Sequence, residues 1–203
     1  MKRSLVALAL LLAPAAAGAA ALDQLSRFFE TTRSYQADFS QRLVAKGGRK
    51  PQVSAGTLAI VRPGKLRWEV LRPYPQLVVG DGERFWIYDP ELKQVTVRKA
   101  REAIGSSPAA LLSGSEDLRK NFVLSEAGEA DGLEWAEARP RASDSGFERL
   151  RLGFSGGELK AMELHDQFGQ ITTVEFSRVE RNPKLAPSLF RFVPPSGADV
   201  VGE

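Results

Sequence analysis

From Tyr35 to Val179 the chain repeats one device, a short stretch of alternating apolar and polar residues closed by a turn of Gly, Asp, Ser or Pro. Alternation sends successive side chains to opposite faces, so each stretch reads as a strand with one wet face. The first six are Tyr35–Leu43, Val53–Val61, Leu66–Leu71, Gln76–Val79, Arg84–Tyr88 and Gln94–Arg98, with no crossover helix between them. The rest are Phe122–Ser125, Leu133–Ala138, Phe147–Phe154, Leu159–His165 and Ile171–Val179. Turn chemistry supports the spacing: Gly80-Asp81-Gly82-Glu83 carries an Asp-Gly pair that tolerates positive φ. About eleven antiparallel strands at meander spacing are predicted.

Helices are few. Leu22, Leu25, Phe28, Phe29 and Thr32 fall on one helical face, Ser107-Pro108 opens the piece Ala109 to Leu112, and a third short piece is read at Ser115 to Leu118. The stretch Leu185 to Pro195 is expected to form a short turn and a closing edge segment. A mainly β chain of this kind folds as a strongly curved sheet, closed or half-closed into a barrel, whose apolar concave face needs a cover. The helical pieces are small covers for eleven strands, which leaves room for an apolar cavity. From the pattern alone an ordinary packed core is the default reading. Phe39 on the first strand and Leu66, Trp68 and Val70 on the third belong to that interior under either reading. Trp86 and Tyr88 lie opposite Phe85 and Ile87, so their strand is apolar on both faces and something should pack over it.

Composition narrows the chemistry. The 203 residues include no cysteine and one histidine, which excludes disulfides, thiolate metal sites and multi-histidine metal sites. His165-Asp166 runs into the turn Gln167-Phe168-Gly169, and no G-x-S-x-G elbow supplies a nucleophile, so no enzyme is expected. Asp81 to Asp89 lacks the spacing of a calcium loop, and no cofactor is expected. Arg62, before Pro63, is the most informative charge: either a solvated strand end or a five-donor group for several backbone carbonyls.

The N-terminus has the layout of an export leader: Lys2-Arg3, an apolar run from Leu5 to Ala13, then Ala17-Gly18-Ala19 or Ala19-Ala20-Ala21 as cleavage signature. The expected division is a signal peptide at residues 1–21 and a mature domain at 22–203, with the mature chain beginning at Ala20 or Leu22, Sec-exported and periplasmic. Losing Lys2 and Arg3 lowers Lys plus Arg from 28 to 26 against 25 Asp plus Glu, so the net charge falls from +3 to +1. With its Arg residues scattered, the chain is not expected to bind nucleic acid.

Taken in order, several motifs resemble the LolA-type periplasmic outer-membrane lipoprotein carriers over nearly the whole mature chain. They are Ser34 to Gln41, Gly56-Thr57-Leu58 running into Arg62 to Trp68, Val79 to Pro90, Ser107-Pro108 with its apolar helix, and Phe190 to Gly197. The resemblance implies an unclosed half barrel of about eleven antiparallel strands with a small α-helical lid over a hydrophobic cavity for acyl chains. It further implies a monomer that carries outer-membrane lipoproteins, an inner-membrane lipoprotein-releasing ABC transporter that loads it and an outer-membrane acceptor lipoprotein that unloads it. By that resemblance Arg62 latches the lid through its carbonyls, Leu66 and Trp68 line the mouth and cavity, and Leu111 and Leu112 belong to the lid helix. Ala109 stands where the family often has an aromatic residue, and the tail after Gly197 is short. The acceptor itself has the same fold but needs a lipid-modified cysteine that this chain lacks. A related half-barrel lipid-binding or sensor protein of the cell envelope is the alternative.

Overall fold

The computed structural model describes residues 20–47, 50–100, 112–114, 118–143 and 145–202. Residues 1–19 of the expected leader, Ser107 to Leu111 and Ser115 to Asp117 lie outside the described residues. Helix α1 (Ala21–Thr31) is followed by β1 (Ser34–Val44), β2 (Gln52–Val61), β3 (Lys65–Arg72), β4 (Gln76–Asp81), β5 (Arg84–Asp89) and β6 (Gln94–Lys99). After the one-turn helix α2 (Leu118–Asn121) come β7 (Phe122–Ala130), β8 (Leu133–Pro140), β9 (Phe147–Ser155), β10 (Glu158–Asp166) and β11 (Ile171–Arg181). All eleven expected strands are present. A 3-10 turn at Pro187–Phe190 and a further strand, β12 (Asp199–Gly202), follow.

The strands form one sheet in the order β12-β6-β5-β4-β3-β2-β1-β11-β10-β9-β8-β7. Among the described residues the two edges, β12 and β7, are not paired with each other, so the sheet is an open half barrel. Eleven strands pair antiparallel, as the alternation requires, with β1 between β2 and β11. β12 corrects the expected end of the chain: the edge is formed by Asp199–Gly202, parallel to β6, rather than by the proline-rich stretch before it. Prolines there lack the N–H that a ladder needs. The chain instead turns at Gly197, φ +80°, and enters the sheet through Asp199 N–H donating to Lys93 O at 2.8 Å.

Curvature is built at irregularities in neighbouring strands. The register shifts between Gln36 and Asp38 where β1 meets β11, and between Ala55 and Gly56 where β2 meets β3. At Gly56 a Cβ would lie 1.8 Å from the Glu69 carbonyl oxygen and 2.8 Å from the Phe39 ring, so only glycine allows this approach. The concave face carries the core. Tyr35 and Phe39 of β1, Leu58 and Ile60 of β2, Leu66 and Trp68 of β3, and Leu150, Leu152 and Phe154 of β9 are buried there with Leu25 and Phe28 of α1. Helix α1 crosses the inner side of β7 to β10.

Trp86 and Tyr88 do receive a cover. Phe192, from the segment between the 3-10 turn and β12, lies 5.8 Å from the Trp86 ring and 5.9 Å from that of Tyr88.

Candidate functional site

Arg62 follows directly on β2, at the end of the sheet where α1 ends. Its N–H donates to Arg33 O at 2.8 Å, which fixes the backbone from which the side chain starts. The guanidinium then spans two helical elements. Nε and Nη2 both donate to Leu112 O, at 3.2 and 3.0 Å, while Nη1 donates to Thr32 O at 2.5 Å and Phe28 O at 3.3 Å. All four bonds end on backbone carbonyls near helix C-termini, where such groups lack a full set of intrahelical partners; of these, Phe28 O also accepts Thr32 N–H at 3.1 Å. The rings of Phe28 and Phe29 flank the same cation, their centroids 4.8 and 4.3 Å from Cζ. Burial, and secondarily Arg33 nearby, lower the Arg62 pKa to about 10, which still leaves the group charged at neutral pH. The solvated strand-end reading of Arg62 therefore fails on geometry. Gly64 N–H adds a bond to Ser113 O at 2.8 Å, so the loop after β2 holds the helical residues 112 and 113 twice.

Beneath this clamp, Phe39, Leu66, Trp68 and Leu112 come together in one buried apolar cluster, with Val70 packed against it. Phe39 and Trp68 stack with centroids 4.1 Å apart and planes 28° apart. Leu66 and Leu112 are each 0% exposed. Leu111 lies outside the described residues. Among the described residues side chains of the protein itself fill this cluster, and two open clefts lie around it. One is a cleft of about 570 Å³ with Arg62 in its wall, lined also by Leu25, Phe29, Leu118 and Leu124 and by the charged Glu30 and Arg33. The second, about 710 Å³, lies at the bulges and includes Phe39, Val53, Gly56 and Leu71.

Helix α1 is tied to the middle of the sheet at its C-terminal end by residues the sequence reading missed. Asn182, at φ +57°, accepts from the N–H groups of Arg33 (2.7 Å) and Ser34 (3.3 Å) through Oδ1 and donates from Nδ2 to Thr31 O at 3.0 Å. Ser34 Oγ donates to Pro183 O at 2.7 Å, and Arg181 Nη2 reaches the hydroxyls of Thr31 and Thr32 at 2.9 and 3.2 Å. The one available signal was Asn182 before Pro183 at a strand end, since Asn tolerates left-handed backbone. Tyr35, buried beneath α1 with its hydroxyl on Leu159 O at 3.2 Å, has its pKa pushed up, chiefly by burial and then by Glu158.

His165 lies near the end of β10, just before the turn at Gln167–Gly169, among charged neighbours. Its Nδ1 lies 3.2 Å from Arg149 Nη2 and its Nε2 contacts Glu163, while Asp166 Oδ1 accepts from Phe168 and Gln170 N–H at 2.8 Å each. Asp81 likewise organises a hairpin, accepting Glu83 and Arg84 N–H at 2.8 Å and Trp86 Nε1–H at 3.2 Å. Among the described residues no three His, Cys, Asp or Glu side chains group as a metal site, and no helix is long and apolar enough to cross a membrane.

An arginine clamp over an apolar concave sheet is the geometry with which known proteins can be compared. Among solved structures, an uncharacterized conserved protein from Thermus thermophilus aligns with a TM-score of 0.56 at 15% identity, covering 89% of this chain and 98% of its own, and supports the fold. Among curated proteins, the outer-membrane lipoprotein carrier protein of Dechloromonas aromatica is 64% identical over 192 residues, 95% of this chain and 92% of that protein. That of Methylobacillus flagellatus is 49% identical over 95% of this chain and 94% of its own. The model of the family described as outer membrane lipoprotein carrier protein LolA matches residues 30–193, from the last turn of α1 to the segment beyond Phe192. The chain belongs to the LolA family of outer membrane lipoprotein carrier proteins.

Proposed function

We propose that this chain is a periplasmic chaperone that takes the acyl chains of lipoproteins into its concave apolar face and carries them from the inner to the outer membrane. The observation that carries the reading is Arg62, whose single guanidinium bonds three carbonyls of two helical elements above an interior built of Phe39, Leu66, Trp68 and Leu112. Shielding an acyl chain from water is worth ~0.8 kcal/mol per methylene, which only an enclosed apolar site supplies. The closed interior is filled by the protein's own side chains, so cargo enters by displacing the lid from Leu66, Trp68 and Val70, with Leu111 and Leu112 moving alongside it. The four bonds of this one cation, together worth on the order of 2–3 kcal/mol once exchange with water is counted, oppose that displacement and are regained when cargo leaves. The latch therefore sets the balance between loading and release.

In this reading the protein acts as an exported monomer without a cofactor or catalytic step. An inner-membrane ABC transporter of the lipoprotein-releasing class supplies the cargo and an outer-membrane acceptor lipoprotein removes it. A photo-crosslinker at position 68 in protein expressed with its leader tests the reading. Lipoprotein attached to it in the periplasmic fraction is the expected product. Labelling of free lipid, or of nothing, points to a lipid-binding or sensor role and removes the carrier assignment.

A further inference from the structure

Helix α1 is held differently at its two ends. Its C-terminal end is bound to β1 and β11 in the middle of the sheet, whereas its N-terminal end rests on the edge. There Glu126 of β7 accepts from Ala21 N–H through Oε2 at 3.1 Å and from Leu22 N–H through Oε1 at 3.0 Å. Gln24 adds bonds to the Glu134 carboxylate and, at 2.8 Å, from Gly157 N–H. Ala20, the residue before the helix, has no capping side chain, but its carbonyl accepts Asp23 and Gln24 N–H at 2.9 and 3.1 Å. Ala21 is 2% exposed and belongs to the core.

These contacts separate the two positions at which the leader motif allows cleavage. A cut after Ala21 would remove a buried side chain together with the carbonyl that starts the helix. A cut after Ala19 leaves both in place. We propose that the leader is removed between Ala19 and Ala20, and that Glu126 receives the α-ammonium so created and thereby fixes the free end of α1 across the mouth of the half barrel. The proposal rests on the reading of the chain as an exported carrier.

Electrostatics gives Glu126 its task. An ammonium group at a helix N-terminus meets the positive end of the helix dipole and is disfavoured there. Glu126, already bonded one peptide unit from the new terminus, and Asp23 in the first turn oppose that repulsion. Among the charges on the strands packed against α1, Glu134 is bonded by Gln24, Lys160 is paired with Glu158 at 2.5 Å, and Arg151 is paired with Glu163 at 3.4 Å and reaches Ala127 O at 3.5 Å. The surroundings are therefore acidic on balance and favour a cation.

The test uses the protein purified from the periplasm. Its intact mass and N-terminal sequence are expected to give Ala20 as first residue, and a chain beginning at Leu22 overturns the proposal. The α-amine, carrying a carbon-13 methyl label, is expected to titrate about one unit above the ordinary α-amino value of about 7.7–8.0. In Glu126→Gln it should fall back by about one unit, a tenfold change in proton affinity, and amide exchange at Ala21 to Leu25 should quicken while that at Arg33 and Ser34 does not. An amine that titrates alike in both proteins overturns the pairing. If the Gln variant does not fold, an ordinary amine titration in the unaltered protein is by itself enough to do so. Neither readout involves cargo, so a failure of the carrier reading leaves both measurements intact.

Discussion

At the scale of single residues, the side chains that organise the mouth do so through backbone groups. Arg62→Leu removes four bonds to carbonyls but keeps apolar bulk between Phe28 and Phe29. A stability loss of about 2–3 kcal/mol is expected, read as a fall in Tm of roughly 4–12 °C for a chain of this size. Function should change more than folding does. With the latch gone, loading proceeds while less is gained on reclosing, so loaded carrier accumulates and transfer to acceptor-containing membranes slows. Equal transfer by the variant and the unaltered protein would sink the latch. Asp81 makes a prediction about pH. Its partial burial works to raise the carboxyl pKa, but hydrogen bonds from Arg84, Glu83 and Trp86 outweigh this and hold it below the usual value. A carboxylate depressed in the folded state stabilises fully above its unfolded pKa of about 3.9, and that contribution is lost as the pH falls through the folded value. Asp81→Asn should therefore lower stability at pH 7 and flatten its decline below about pH 4, measured by urea denaturation across that range.

At the scale of elements, the bulges decide where the sheet bends, and Gly56 shows how little freedom they leave. Gly56→Ala places a methyl group against the Glu69 carbonyl, a contact that β2 and β3 relieve only by parting. More than about 3 kcal/mol of destabilisation is expected, beyond the usual effect of one substitution, and a chemical-denaturation midpoint unchanged from that of the unaltered protein would refute it. Elements also differ in how far the sequence discloses them. β1 to β11 were legible because each carries its own alternation, from Tyr35-Ala37-Phe39 to Val174-Phe176. β12 was not, since Asp199–Gly202 has four exposed residues with no wet and dry face, and its parallel pairing is chosen by the preceding turn. The anchors of α1 were hidden for another reason. Glu126 and Asn182 meet the helix across 104 to 151 residues of chain, and nothing near either one in sequence names its partner. Arg62 stands between these cases: its chemistry as a donor to carbonyls was readable and family resemblance implied lid carbonyls as acceptors, whereas the oxygens of Thr32, Phe28 and Leu112 in particular were not legible.

For the whole molecule, the open seam between β7 and β12 has a mechanical meaning. In a closed barrel the number of strands and their stagger together fix the radius, and the bore admits one girth of guest. Here no ladder among the described residues joins the first and last strands of the order, so no hydrogen bonding there fixes the circumference, and the wall is expected to widen as a spring rather than hold one bore as a pipe. The bulges beside Asp38 and Gly56, in the middle of the order, are the points at which it bends. Small-angle scattering should then show the radius of gyration of the protein component rising in steps with guests of one, two and three acyl chains, and a single value for all three would refute the spring. Such a wall gauges its load by its own width, and one carrier serves guests that differ in girth without any change of sequence.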